Sequence, residues 1–196
     1  MEVTLRKLRQ YQACYFGYNT LVAHVTGQEQ EQVYGYYVDT PEDWENRPIP
    51  LLTVLKSNDL DDTMWATRAL DRAHDRDLRL LAREFALLCR SECLPEQLDL
   101  FDEAMQMAKD AAEGLIDLDS GTALQLIDKL YTEALRRRYL ASHPLAAARA
   151  IIKQRPYAAA WEVPVFVMSV LDKSLAEAKM VDLCVQTFTG QSWWQR

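Results

Sequence analysis

Leu51 to Cys93 reads LLTVLKSNDLDDTMWATRALDRAHDRDLRLLAREFALLCRSEC, three helical patterns separated by polar turns. Leu51, Leu52 and Leu55 make a short apolar helix behind Pro50. Ser57, Asn58 and Asp59 are turn formers, and their side-chain oxygens suit the unpaired N–H groups of the next helix's first turn. That helix sets Leu60 and Met64 on one side, with Trp65 and Ala69 adjacent, and places Asp61 and Asp62 at the positive end of the helix dipole. After a break at His74 and Asp75, the residues Leu78, Leu81, Ala82, Phe85, Leu88 and Cys89 follow the i, i+3, i+4, i+7 rule. Arg68, Arg72, Arg76, Arg79 and Arg83 recur every three or four residues among Asp71, Asp75, Asp77 and Glu84. The pattern reads as a solvated face paired with itself, Asp75 to Arg79 being a favourable i, i+4 pair, with a phosphate groove as the alternative.

Helical spacing continues on both sides of this centre. Thr4 is placed to cap a first helix with Leu5 and Leu8 on its inner face. Tyr15, Tyr18, Leu21, Val22 and Val25 share the next stripe, which Gly27 stops. Gly17 inside it weakens the helix, so the spacing predicts either a close helix contact or a break there. Residues 28–50 are the least regular: a short strand or extended arm is allowed near 33–38, and Pro41, Pro48 and Pro50 punctuate the rest. Tyr34, Tyr36, Tyr37 and Trp44 gather in this loop and have two readings, a loop pinned onto the helices or a contact surface, since Tyr and Trp are favoured interface anchors.

Towards the other end, Pro95 opens a helix expected to bury Leu98, Phe101, Met105, Ala108, Ala112 and Leu115. Its outer face is acidic through Glu96, Asp99, Asp102, Glu103, Asp110 and Glu113, which suits either solvent or a basic partner. Leu124, Ile127, Leu130, Tyr131, Ala134 and Leu135 line up on the following helix, and Pro144 opens another that stops before Pro156. One long helix is expected from about Val163 to Phe188, burying Phe166, Val167, Val170, Leu171, Ala178, Val181, Val185 and Phe188, with Gly190 as its C-cap. VPVFVMSV alone also fits a strand. Trp193 and Trp194 in the tail either pack back or meet a partner.

Nearly half of the residues are apolar, and only six glycines and seven prolines occur, which disfavours a turn-rich β-sandwich. The net charge of −7 argues against direct nucleic-acid binding, which needs a basic stripe. Met1 to Gln10 is polar and charged, and no apolar run is long enough for a bilayer, so neither a signal peptide nor a membrane span is expected. Cys14, Cys89, Cys93 and Cys184 are scattered and read as reduced thiols of a cytoplasmic protein. Cys89 and Cys93 lie one helical turn apart without two further convergent ligands, so no metal site is expected. His24, His74 and His143 stand in unrelated settings, and phosphate-loop, HExxH and GxSxG motifs are missing. Asp61 and Asp62 are neighbours on a helix and point about 100° apart, so they are not a carboxylate pair on one face. No catalytic residue, cofactor site or metal site is therefore assigned, and an enzyme is not expected.

At LDDTMWATRALDRAHDRDLRLLAREFALLC the chain resembles a family of helical immunity proteins found beside bacterial polymorphic toxins. In that family a helix of the form LDxALWxLRA is followed by a basic turn and an RLFAxxCA-like helix. Leu60, Asp61, Trp65, Arg68 and Ala69 match the first element; Arg76, Leu80, Ala82 and Ala86 match the second. The resemblance covers residues 51–115, and Thr63 and Met64 depart from the small and apolar residues usual there. The opening LRKLRQYQACYFGYNTLV, Leu5 to Val22, is similar to proteins encoded by phages and other mobile elements. The resemblance implies a small helical protein that blocks a toxin, a nuclease or a host defence protein by binding it, with Trp65 and Arg68 as contacts; on its spacing alone Trp65 belongs to the core.

The expectation is an all-α protein, an irregular multi-helix bundle of about seven to nine helices, forming one domain over 1–196 with an irregular loop at 28–50. Its expected function is that of a protein-binding inhibitor; a scaffold for phage replication or assembly proteins is the alternative, and an enzyme with an unrecognised site ranks behind both. Tyr34, Tyr36, Tyr37 and Trp44 on the loop, and Asp99, Asp102, Glu103 and Asp110 on the acidic helix, are the candidate partner-binding residues.

Overall fold

The computed structural model describes residues 1–29, 35–136, 143–153 and 155–190, with the side chains of 136 and 153 left aside. Eleven α-helices and one two-stranded sheet occur among these residues, an all-α fold with more helices than expected. The chain divides into two compact units, Met1–Arg72 and Ala73–Arg196, and the division falls inside the 51–93 stretch.

The first unit runs β1 (Glu2–Val3), α1 (Leu5–Gln10), α2 (Tyr15–Thr26), α3 (Glu42–Glu45), β2 (Ile49–Pro50), α4 (Leu51–Ser57) and α5 (Leu60–Ala66). The sheet pairs Val3 with Ile49 and Glu2 with Pro50, antiparallel. Residues 35–38 carry no strand, and 33–34 lie outside the described residues. Thr4 caps α1 by accepting the Lys7 N–H, and Asp59 caps α5 by accepting the Asp62 N–H at 2.8 Å. Such caps are worth about 1 kcal/mol each. Gly27 closes α2 in the left-handed conformation that favours glycine. The core is built from Val3, Leu5, Leu8, Tyr18, Leu21, Ile49, Leu51, Val54, Leu60 and Met64.

Gly17 does not break α2; it makes room for the Asp62 side chain of α5. A Cβ at this position would stand 2.3 Å from Asp62 Oδ2 and 2.8 Å from its carboxyl carbon. Asn58 Nδ2 bridges the approach, donating to the Gly17 carbonyl and to Asp62 Oδ2, both at 2.8 Å. Trp65, expected in the core, is half-buried, with the Arg68 guanidinium 5.2 Å from its ring centroid.

The second unit is formed by α6 (Asp75–Leu87), α7 (Leu98–Ala112), α8 (Gly121–Arg136), α9 (His143–Lys153), α10 (Pro156–Val170) and α11 (Lys173–Phe188). Helix α6 is the centre, packed against α7, α9, α10 and α11. Leu78, Leu81, Ala82, Phe85 and Cys89 are buried as the spacing predicts, but Leu80, Ala86 and Arg79 are buried too, because neighbours cover α6 on several sides. The arginine stripe is accordingly not a solvated face throughout. Arg79 is buried and donates through Nη1 to the Ile151 carbonyl; burial pulls its guanidinium down to about 10, opposed by the nearby Asp75. Arg83 donates Nε to the Met105 carbonyl at 3.0 Å and pairs with Glu84.

Three further expectations are corrected. Leu115 lies beyond the end of α7 and is exposed. On α8 the buried residues are Ala123, Leu126 and Leu130, whereas Leu124, Tyr131 and Leu135 face outward. The long helix from Val163 is two helices: Leu171 adopts an extended conformation, and the Asp172 carboxylate caps α11 by accepting the Leu175 N–H at 2.9 Å. That interruption resets the helical phase, so α11 buries Ala176, Met180, Cys184 and Thr187, while Ala178 and Val185 are exposed. Residues 163–170 are helical with Pro164 inside the helix, and Gly190 follows α11 with φ of 73°. Trp193 and Trp194 lie outside the described residues.

Candidate interaction surfaces

In the first unit, residues 36–40 are tied along α2 by specific hydrogen bonds. Asn19 is buried; its Oδ1 accepts the Val38 N–H at 3.0 Å and its Nδ2 donates to the Tyr36 carbonyl at 3.3 Å. The Tyr18 and Thr40 hydroxyls bond at 2.7 Å, and the Tyr37 hydroxyl donates to the Ala13 carbonyl at 2.7 Å. The Tyr37 ring stands 4.7 Å from that of Tyr15 and 4.8 Å from that of Tyr18, the latter edge-on, a geometry favoured by the ring quadrupoles. Burial, then the neighbouring Tyr15, raises the Tyr37 phenol above its ordinary value, so it stays a proton donor.

Around this pinned centre, Tyr11, Tyr15, Phe16 and Tyr36 remain between 43% and 65% exposed. Beside it a cleft of about 530 Å³ is lined by Asn19, Val22, Ala23, Tyr36, Tyr37 and Asp39 among others. Trp44 sits on α3 with the Arg47 guanidinium 4.2 Å from its ring centroid. Arg9 links α3 to the aromatic centre: it pairs with Glu45 at 2.7 Å and lies 5.6 Å from the Tyr18 ring centroid. Of the predicted loop aromatics, Tyr37 is thus a pin, Tyr36 projects outward, Trp44 stands on α3 under Arg47, and Tyr34 lies outside the described residues.

Tyr11, Tyr15 and Phe16 are the residues that sequence reasoning missed. For Phe16 a signal exists. It stands two positions before Tyr18, hence about 200° around the helix from the buried stripe, which puts a large apolar ring on the face of Thr20 and His24.

The acidic candidates belong to the second unit. Asp99 and Glu103 on α7 are exposed and make no ion pair among the described residues. Asp102 is neutralised within the chain: Arg90 donates Nε to Oδ1 at 2.7 Å and Nη2 to Oδ2 at 2.5 Å, which holds this carboxyl below its ordinary range. Asp110 accepts from Gln106 Nε2 at 2.7 Å.

Cys14 is the most accessible thiol. Its Sγ caps α2 by accepting the Gly17 N–H at 3.2 Å and lies 3.5 Å from Asp62 Oδ1. Burial and the adjacent carboxylate raise its pKa, the reverse of the shift that activates a nucleophilic cysteine, and the space beside it is about 20 Å³. All four cysteines are free thiols, with burial pushing Cys89 up to about 12 and Cys93 up to about 11. Among the described residues no group of three or more His, Cys, Asp or Glu converges as a metal site, and no helix is long and apolar enough to cross a membrane. No family model, no curated protein and no solved structure matches the chain.

Proposed function

We propose that this chain is a protein-binding inhibitor of the immunity or phage anti-defence type, which blocks a toxin, nuclease or host defence protein by covering its active or binding surface. The reading is carried by the aromatic edge of the first unit, four large side chains left exposed around a centre fixed by Tyr37, Tyr18 and Asn19. Tyrosine and phenylalanine have only two side-chain torsions, so aromatic anchors on a fixed support lose little freedom on docking. Hot spots of this kind contribute about 2 kcal/mol or more each when a partner packs around them. Supporting the inhibitor class is the resemblance of residues 51–115 to immunity proteins. Direct binding to nucleic acid fits poorly with a net charge of −7.

The test is affinity capture from the native host with the tagged chain and with its Phe16→Ser/Tyr36→Ser variant. A toxin, nuclease or defence component bound stoichiometrically by the parent and lost by the variant supports the reading. Recovery of replication or virion proteins alone replaces it with the scaffold alternative.

A further inference from the structure

Helix α1 ends in a turn whose geometry usually falls to glycine. The Ala13 N–H donates to the Leu8 carbonyl and the Gln12 N–H to the Arg9 carbonyl, both at 3.0 Å. This pair of bonds closes a helix through a left-handed residue just beyond its cap. Gln12 supplies that residue with φ of 62°, the one non-glycine of positive φ among the described residues. A side chain in this conformation crowds its own carbonyl oxygen, a cost that glycine avoids. The surroundings hold Gln12 there: Leu8 and Ala13 are buried, and the Ala13 carbonyl accepts the Tyr37 hydroxyl.

Within the fold the glutamine side chain offsets none of this cost. It is exposed and makes no hydrogen bond among the described residues. Its place is instead inside the aromatic edge, directly after Tyr11 and shortly before Tyr15 and Phe16, all exposed. Strain that the surroundings enforce concentrates at binding and catalytic sites. We propose that Gln12 is a contact residue of the inhibitory edge, its amide donating to and accepting from a main-chain peptide group of the inhibited protein. The inference rests on the reading of the edge as an inhibitor's surface. A primary amide carries a donor and an acceptor side by side, the complement of a peptide group. The rings around it contribute mainly burial, which has no direction; the amide fixes the register in which they dock.

The test passes a native-host lysate over the immobilised parent, Gln12→Gly, Gln12→Ala and Phe16→Ser/Tyr36→Ser. Each retained protein is quantified by mass spectrometry over a dilution series, and urea unfolding is measured alongside. Gln12→Gly is expected to be more stable than the parent. Release from the left-handed strain is worth about 5- to 30-fold in the folding equilibrium, and the freer unfolded glycine takes back about 2- to 5-fold. Gln12→Ala keeps the strain and is expected to be no more stable than the parent. Both variants are expected to bind a retained toxin, nuclease or defence protein about fivefold or more weakly. Higher stability with weaker binding is a pairing that a merely structural residue would not give. Parental binding in both Gln12 variants, with loss in Phe16→Ser/Tyr36→Ser, overturns the inference and leaves the edge standing. Loss in Gln12→Gly alone overturns it too, because the alanine lacks the amide as well. A Gln12→Gly no more stable than the parent removes the strain on which it rests. If the parent retains nothing that Phe16→Ser/Tyr36→Ser loses, the inhibitory edge falls, and Gln12 with it.

Discussion

At Gly17, the absence of a side chain leaves the space that the Asp62 carboxylate fills. Asp62 occupies the place of a Cβ, held there by Asn58. In an open helix, Gly17→Ala would gain about 1 kcal/mol of propensity; here overpacking, at about 1–3 kcal/mol, opposes it. Denaturant unfolding should therefore show Gly17→Ala destabilising the parent by up to about 2 kcal/mol, the overpacking cost less the propensity gain, but stabilising an Asp62→Ala background. The same sign in both backgrounds contradicts the contact. Glu84 offers a pH test. Burial raises its carboxyl, against the opposing pull of Arg83, so the folded state holds the proton to higher pH than the unfolded chain. Stability from this group is thus present below the ordinary carboxyl range and lost as pH rises through the folded value. Thermal melts should show Glu84→Gln gaining on the parent at pH 7 and losing that advantage near pH 4; a gain independent of pH counts against the burial. Gly17 was half legible in the sequence, as a contact or a break. Arg79 was not, because its burial depends on the carbonyl of Ile151, far along the chain.

Among the elements, α6 is the most legible as a helix, although its apolar period marks only part of the surface that it buries. Helix α8 was misread for a physical reason: when apolar residues cover half of a helix, periodicity locates the apolar arc but not which part of it neighbours will cover. The break between α10 and α11 was masked by apolar residues that continue in phase through Leu171. The signal was Asp172, a capping residue three positions before Leu175. Asp172→Ala should cost about 1 kcal/mol in chemical denaturation, whereas Asp182→Ala, on an exposed helical position, should cost much less. Equal losses would remove the cap from the account.

For the whole molecule, the sequence supported an all-α fold without long-range information, because helical spacing and caps are local. The candidate surfaces were less legible. The loop aromatics stand out in the sequence, yet which of them project depends on Tyr37 and Asn19 tying the segment to α2, and Tyr11, Tyr15 and Phe16 complete the edge from outside the loop. If that edge is for binding and not for folding, Phe16→Ser/Tyr36→Ser should melt within about 1 kcal/mol of the parent, as expected for exposed positions. Inhibition is read out by titrating any toxin, nuclease or defence protein that the chain captures, in that protein's own activity assay, with the purified chain. Inhibition complete near one equivalent, and lost or weakened by about tenfold or more in Phe16→Ser/Tyr36→Ser, is the predicted result. Full activity of the target at saturating parent protein, or equal inhibition by the variant, contradicts it.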